Sequence, residues 1–70
     1  MEMQIGDLVW DSEELGMIIQ HVHNPNGFAR EFYVIEWYRG TGAITLYCPP
    51  KLTQRYRDAY CNAYNQSKTR

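Results

Sequence analysis

Two adjacent prolines, Pro49 and Pro50, divide this 70-residue chain into segments with different apolar periods. Proline has no amide hydrogen to give to a strand ladder, so a sheet cannot run through the pair. Before the prolines, apolar residues alternate with a period of two, the pattern of half-buried strands. After them, Leu52, Tyr56, Ala59, Tyr60, Ala63 and Tyr64 recur at three- and four-residue spacing. That spacing predicts an amphipathic helix with a tyrosine stripe over residues 51–65, with Thr53 as its N-cap and a frayed tail over residues 66–70.

Four strands are expected in residues 1–50. Residues 8–10 form the first, preceded by Gly6, and the acidic residues 11–14 turn the chain. Strand two covers residues 16–23, with Gly16, Ile18, Gln20 and Val22 on one face and Met17, Ile19, His21 and His23 on the other. Asn24-Pro25-Asn26-Gly27 is the strongest hairpin signal, because Asn-Gly supplies the positive φ angles such a turn needs. Strand three runs over residues 29–38 and strand four over residues 43–47, joined through Arg39-Gly40-Thr41-Gly42. Strand three is apolar on both faces: Tyr33, Ile35 and Trp37 on one, Phe32, Val34 and Tyr38 on the other. Its second face therefore needs a cover. The candidates are the helix, through Leu52, Tyr56 and Tyr60, or a second copy of the chain as a homodimer.

Seventy residues make one domain, so barrel and helix are read as one unit. A chain this short buries only about 60% of its unfolded surface and needs reinforcement. Six Tyr, two Trp and two Phe are the expected source. No apolar run approaches the roughly 18 residues of a membrane span. Glu2 and Gln4 stand where a secretory signal would need basic and then apolar residues, so a cytoplasmic location is expected. Cys48 and Cys61 then read as reduced thiols. The net charge of −1 conceals a split. Arg30 and Arg39 face seven acidic residues before the prolines; Lys51, Arg55, Arg57, Lys68 and Arg70 face Asp58 alone after them.

The Gly6-Asp7-Leu8-Val9 entrance, the Gly16-led second strand and Tyr33-Val34-Ile35-Glu36-Trp37 together resemble a small SH3-like barrel of the KOW and Tudor type. The same residues are similar to short proteins of T4-like tailed phages, including those of marine cyanobacteria. The resemblance covers about residues 5–50. It implies a mainly β fold, an SH3-like antiparallel barrel of four to five strands, here followed by a C-terminal helix. It also implies a phage setting, in a virion or in host takeover. The acidic first turn departs from the basic loop usual in KOW modules, and the helix stands where a fifth strand would close the barrel.

Chemistry is sparsely encoded. His21 and His23 share a strand face, but no Cys-x-x-Cys or His-x₃-His accompanies them, so no metal is expected. Cys48 lacks a neighbouring base, Glu13 and Glu14 lack a cleft signal, and Gly40-Thr41-Gly42 is too short for a phosphate-binding loop. The expectation is a non-enzymatic protein-interaction or small structural module without a cofactor. A peptide groove is expected between residues 11–14 and 24–28, floored by Trp10 and Trp37. Glu13, Glu14 and Phe28 would line it and select a basic or Pro-rich segment of a protein partner. An aromatic cage for a methylated cation would use rings such as Trp10, Tyr33, Trp37 and Tyr47. Two alternatives stand beside the peptide groove. One is nucleic-acid binding by Lys51, Arg55, Arg57 and Tyr64. The other is obligate homo-oligomeric assembly through Phe32, Val34 and Tyr38, the face for which Tyr56 and Tyr60 are the intramolecular lid.

Overall fold

In a computed structural model the chain is described over residues 3–24 and 31–68, with side chains described as far as residue 65. Four antiparallel strands, β1 (Leu8–Trp10), β2 (Leu15–His23), β3 (Glu31–Arg39) and β4 (Gly42–Cys48), form one sheet in the order β1-β2-β3-β4. Helix α1 (Pro50–Lys68) follows. Thus the fold is mainly β with a C-terminal helix. Among the described residues β1 and β4 remain the two outer strands of an open sheet, and no strand closes it into a barrel. Except for Asn24, the Asn24-Pro25-Asn26-Gly27 turn signal lies outside the described residues, as does Phe28.

Local chemistry explains the element ends. Gly6, at φ +97°, donates to the Ile18 carbonyl at 2.7 Å, and Ile18 donates to the Asp7 carbonyl at 2.9 Å, which pins the entrance onto β2. Gly40 takes φ +53° in the two-residue loop between Arg39 and Gly42. Pro50 occupies the first helical position, where a missing amide hydrogen costs nothing. Thr53 is therefore not the N-cap expected of it. It lies inside the first turn, fully buried, and its hydroxyl donates back to the Pro49 carbonyl at 2.8 Å. The helix also continues to Lys68, past the expected end at residue 65.

The alternation expected for β2 is interrupted. Ile18 pairs with Ile35, but Gln20 pairs with Val34, so Ile19 is an extra residue in a β-bulge. Beyond it the faces exchange: His21 pairs with Tyr33 and joins the face of Ile18, while Gln20 and Val22 turn to the face of Val34 and Phe32. A strict period of two, extended from Gly16, had placed both histidines opposite Ile18.

The core lies on one side of the sheet. Val9, Ile18, Tyr33, Ile35, Trp37 and Cys48 form the buried cluster, with Met3, Leu52 and Tyr56 packed against it. Tyr56 meets Trp37 edge to face, with centroids 5.2 Å apart at 89°. The helix thus covers the Trp37 face, so Tyr56 is not a lid over Phe32, Val34 and Tyr38. Two features direct it there. Gly16 leaves room for Trp37 to lie on the sheet: a Cβ built on Gly16 would stand 2.7 Å from the indole and 2.9 Å from Ile35. Cys48, the last residue of β4, faces the same side, and the Thr53 bond to Pro49 tucks the following turn against it.

Gly16→Ala is expected to destabilise the fold by about 1–3 kcal/mol through overpacking. Urea denaturation checks this; an unchanged midpoint would show that the indole moves aside freely.

Candidate functional site

The expected peptide groove does not form. By register Trp10 lies opposite Leu15, which lies opposite Tyr38, whereas Trp37 lies opposite Gly16. The two indoles therefore belong to opposite faces, and Trp37 is buried. Residues 11–14 and Asn24 flank the two ends of β2, about 26 Å apart at strand spacing. The acidic turn is also internally engaged. The Asp11 carboxylate accepts the Glu13 and Glu14 amides at 2.9 and 2.6 Å, and Glu14 pairs with Arg39. Ser12 adopts φ +81° within the same turn. This is a self-contained loop in which, among the described contacts, the exposed side chains of Ser12 and Glu13 make none. Trp10, on the outer strand beside which the helix runs, nevertheless lines a shallow cleft with Leu52, Arg55, Tyr56 and Ala59. Phe28, the remaining groove residue, lies outside the described residues. The rings proposed for a cation cage are likewise dispersed: Tyr33 and Trp37 are buried, while Tyr47 points from the other face.

The basic helix serves the fold first. Arg57 donates to the Leu8 carbonyl at 2.9 Å, lies 3.9 Å from the Asp7 carboxylate and sits over the Tyr60 ring. Since Ile18 bonds to the Asp7 carbonyl, strand alternation turns the Leu8 carbonyl away from β2, and Arg57 caps the outer edge of β1. Tyr60 and Tyr64 stack with centroids 6.1 Å apart. Lys51 and Arg55 are exposed. The cationic set expected for phosphate is thus split, with its central arginine tied to the sheet.

What remains open is the face opposite the helix and the β4 edge beside it. Leu15, Tyr38 and Tyr47 are exposed there, Met17, Val22 and Phe32 half-buried, and Val34 buried between Gln20 and Tyr47 in register. Phe32 and Tyr47 pack at 4.9 Å between centroids, and with Glu31, Cys48 and Pro49 they line a cleft of about 420 Å³. The Tyr38 hydroxyl donates to Glu36 at 3.1 Å, the polar break in this surface. Along β4 every residue from Gly42 to Tyr47 is exposed, and Tyr47 keeps 75% of its surface in solvent. The two-residue loop closes on a hydrogen-bonded Arg39/Gly42 pair. Alternation then directs the main-chain groups of Ile44 and Leu46 toward β3, and those of Ala43, Thr45 and Tyr47 outward. Sequence reasoning found this strand but not its outer position. The available signal was an uncharged, proline-free stretch of β-branched and aromatic residues.

Several titratable side chains are engaged with neighbours in the fold. His21 stacks on Tyr33 at 4.3 Å and bonds to Glu31 at 2.7 Å. Among the described residues no three His, Cys, Asp or Glu side chains converge as metal ligands would. Cys48 and Cys61 are both free thiols. Burial pushes the Cys48 thiol above its ordinary value, an effect the Thr53 hydroxyl partly offsets. Among the described residues no helix is long and apolar enough to cross a membrane.

Arg57→Ala is expected to lower stability by about 1.5–3 kcal/mol, the range for hydrogen bonds to charged groups. Urea denaturation measures the loss, and a near-neutral effect would show that β1 holds without its cap. Cys61 should react with a disulfide reagent well before Cys48 in the folded protein. Because the folded state keeps the Cys48 proton longer than the unfolded chain, stability should fall as pH rises above about 8.5. That slope should be shallower in Cys48→Ala, read from thermal unfolding between pH 7 and 10.

No protein family, curated protein or solved structure matches the chain.

Proposed function

We propose that this chain is a non-enzymatic protein-interaction module that works by strand addition. An extended, apolar segment of a protein partner pairs with β4 through the outward main-chain groups of Ala43, Thr45 and Tyr47. One of its side chains enters the cleft beside Phe32, Tyr47 and Pro49. The observation that carries this reading is the exposure of six consecutive residues, Gly42 to Tyr47, of an uncharged seven-residue edge strand. Native sheets usually blunt such an edge with lysine, proline or a bulge, and β4 has none of these between Gly42 and Cys48. The opposite edge, at β1, is capped by Arg57.

The non-enzymatic part rests on the cleft itself. Its titratable groups are Glu31, engaged with His21, the solvent-exposed Tyr47 phenol, and Cys48, whose burial favours the poorly nucleophilic protonated thiol. The architecture suits a small SH3-like barrel in which the helix takes the place of a closing fifth strand. Small barrels of that kind serve many binding roles, so function resides in the site and not in the fold.

Selection from a random library of extended peptides tests the reading. Enriched peptides should be rich in apolar and β-branched residues and should shift the Ala43, Thr45 and Tyr47 amide resonances. Thr45→Pro removes an outward amide hydrogen without taking one from the β3–β4 ladder, and should weaken binding at least tenfold with the circular-dichroism spectrum retained. Peptides that bind Thr45→Pro undiminished, or that shift only helix resonances, would refute strand addition.

A further inference from the structure

We infer that the segment received by β4 is β4 of a second copy, paired antiparallel about a two-fold axis at Thr45. This rests on the strand-addition reading and names its partner. The geometry of β4 allows few self-pairings. Only Ala43, Thr45 and Tyr47 present main-chain groups outward, so these must form the hydrogen-bonded pairs of any new ladder. Centring the axis on Thr45 places Thr45 against Thr45 of the second copy, and Ala43 against Tyr47 in both directions. Such a ladder holds about six hydrogen bonds and uses every outward group of the strand. Gly42 then falls opposite Cys48, so the overlap stops where Pro49 can no longer donate. Shifting the axis to Ile44 or Leu46 shortens the ladder or brings Pro49 into it.

The side chains match this register. On the open face the large, 75% exposed Tyr47 ring meets the small Ala43, while two threonines meet at the centre. On the helix side Ile44 meets Leu46, two exposed apolar residues that otherwise stand in water. Residues 42–48 carry no charge and each copy has a net charge of only −1, so electrostatics barely opposes the approach. A partner chosen by charge would find nothing on β4 to select it.

Seven residues a side fall well short of the 20–30 of a standard interface, so the dimer should dissociate on dilution. Sedimentation should show mass rising from 8.3 kDa to twice that value, with a dissociation constant in the range of about 1–100 µM. Thr45→Lys and Thr45→Glu each put like charges together on the axis, and each should be monomeric at concentrations where the parent chain pairs. Mixed in equal amounts, the two should restore a dimer containing one of each. Unchanged circular dichroism confirms that both variants fold. A parent chain that stays monomeric to millimolar concentration would overturn the second-copy assignment and leave strand addition to the peptide selection. A dimer that persists in both charged variants would place the interface elsewhere and overturn it equally.

Discussion

The position of one indole ring organises this small structure. Trp37 lies against the sheet only because Gly16, its partner across the β2–β3 ladder, has no side chain to hold it off. Lying there, it meets Tyr56 in a perpendicular ring contact between sheet and helix. Ile35 and Ile18 pack beside it and are fully buried. A ring held upright by a larger residue at position 16 would keep the helix away from Val9 and Ile18. The side of the sheet that becomes core is therefore settled by a missing methyl group, in a chain too small to bury both sides.

That choice determines what is left for function. With the helix committed to the Trp37 face, among the described residues the surface bearing Phe32, Tyr38 and Tyr47 has no cover and β4 has no strand neighbour other than β3. The charges that looked available for a ligand are largely internal. Asp11 holds its own turn, Glu14 holds Arg39, and Arg57 holds the edge of β1. Among the described residues, the fold leaves the outer main-chain edge of β4 and the aromatic surface around Tyr47 exposed.

Much of the architecture was legible in the sequence, because strand and helix periods are local properties. The four strands, the Gly40-Thr41 loop and the change of period at Pro49-Pro50 were all readable in this way. The two faces of β3 were assigned correctly as well. Three features were not legible. The bulge at Ile19 depends on how β2 registers against β3, and no residue in β2 announces it. The side taken by the helix turns on a cross-strand contact between residues 16 and 37, which alternation cannot reveal. The peptide groove failed for the same reason: Trp10 and Trp37 are chemically alike, and only their pairing shows that they lie on opposite sides.

The bond from Arg57 to the Leu8 carbonyl joins residues 49 apart and closes the chain on itself. Such a closure carries a larger entropic cost than the hairpin contacts of β3 and β4, which suits a step that forms late and opens early. Its consequence concerns how far assembly can go. A sheet with one free edge can pair once about a two-fold axis and then has nothing left to offer. A sheet with two free edges can add copies without end, which is the geometry of a fibril. By occupying the β1 edge, a single arginine on the helix would make the proposed strand pairing a process that terminates.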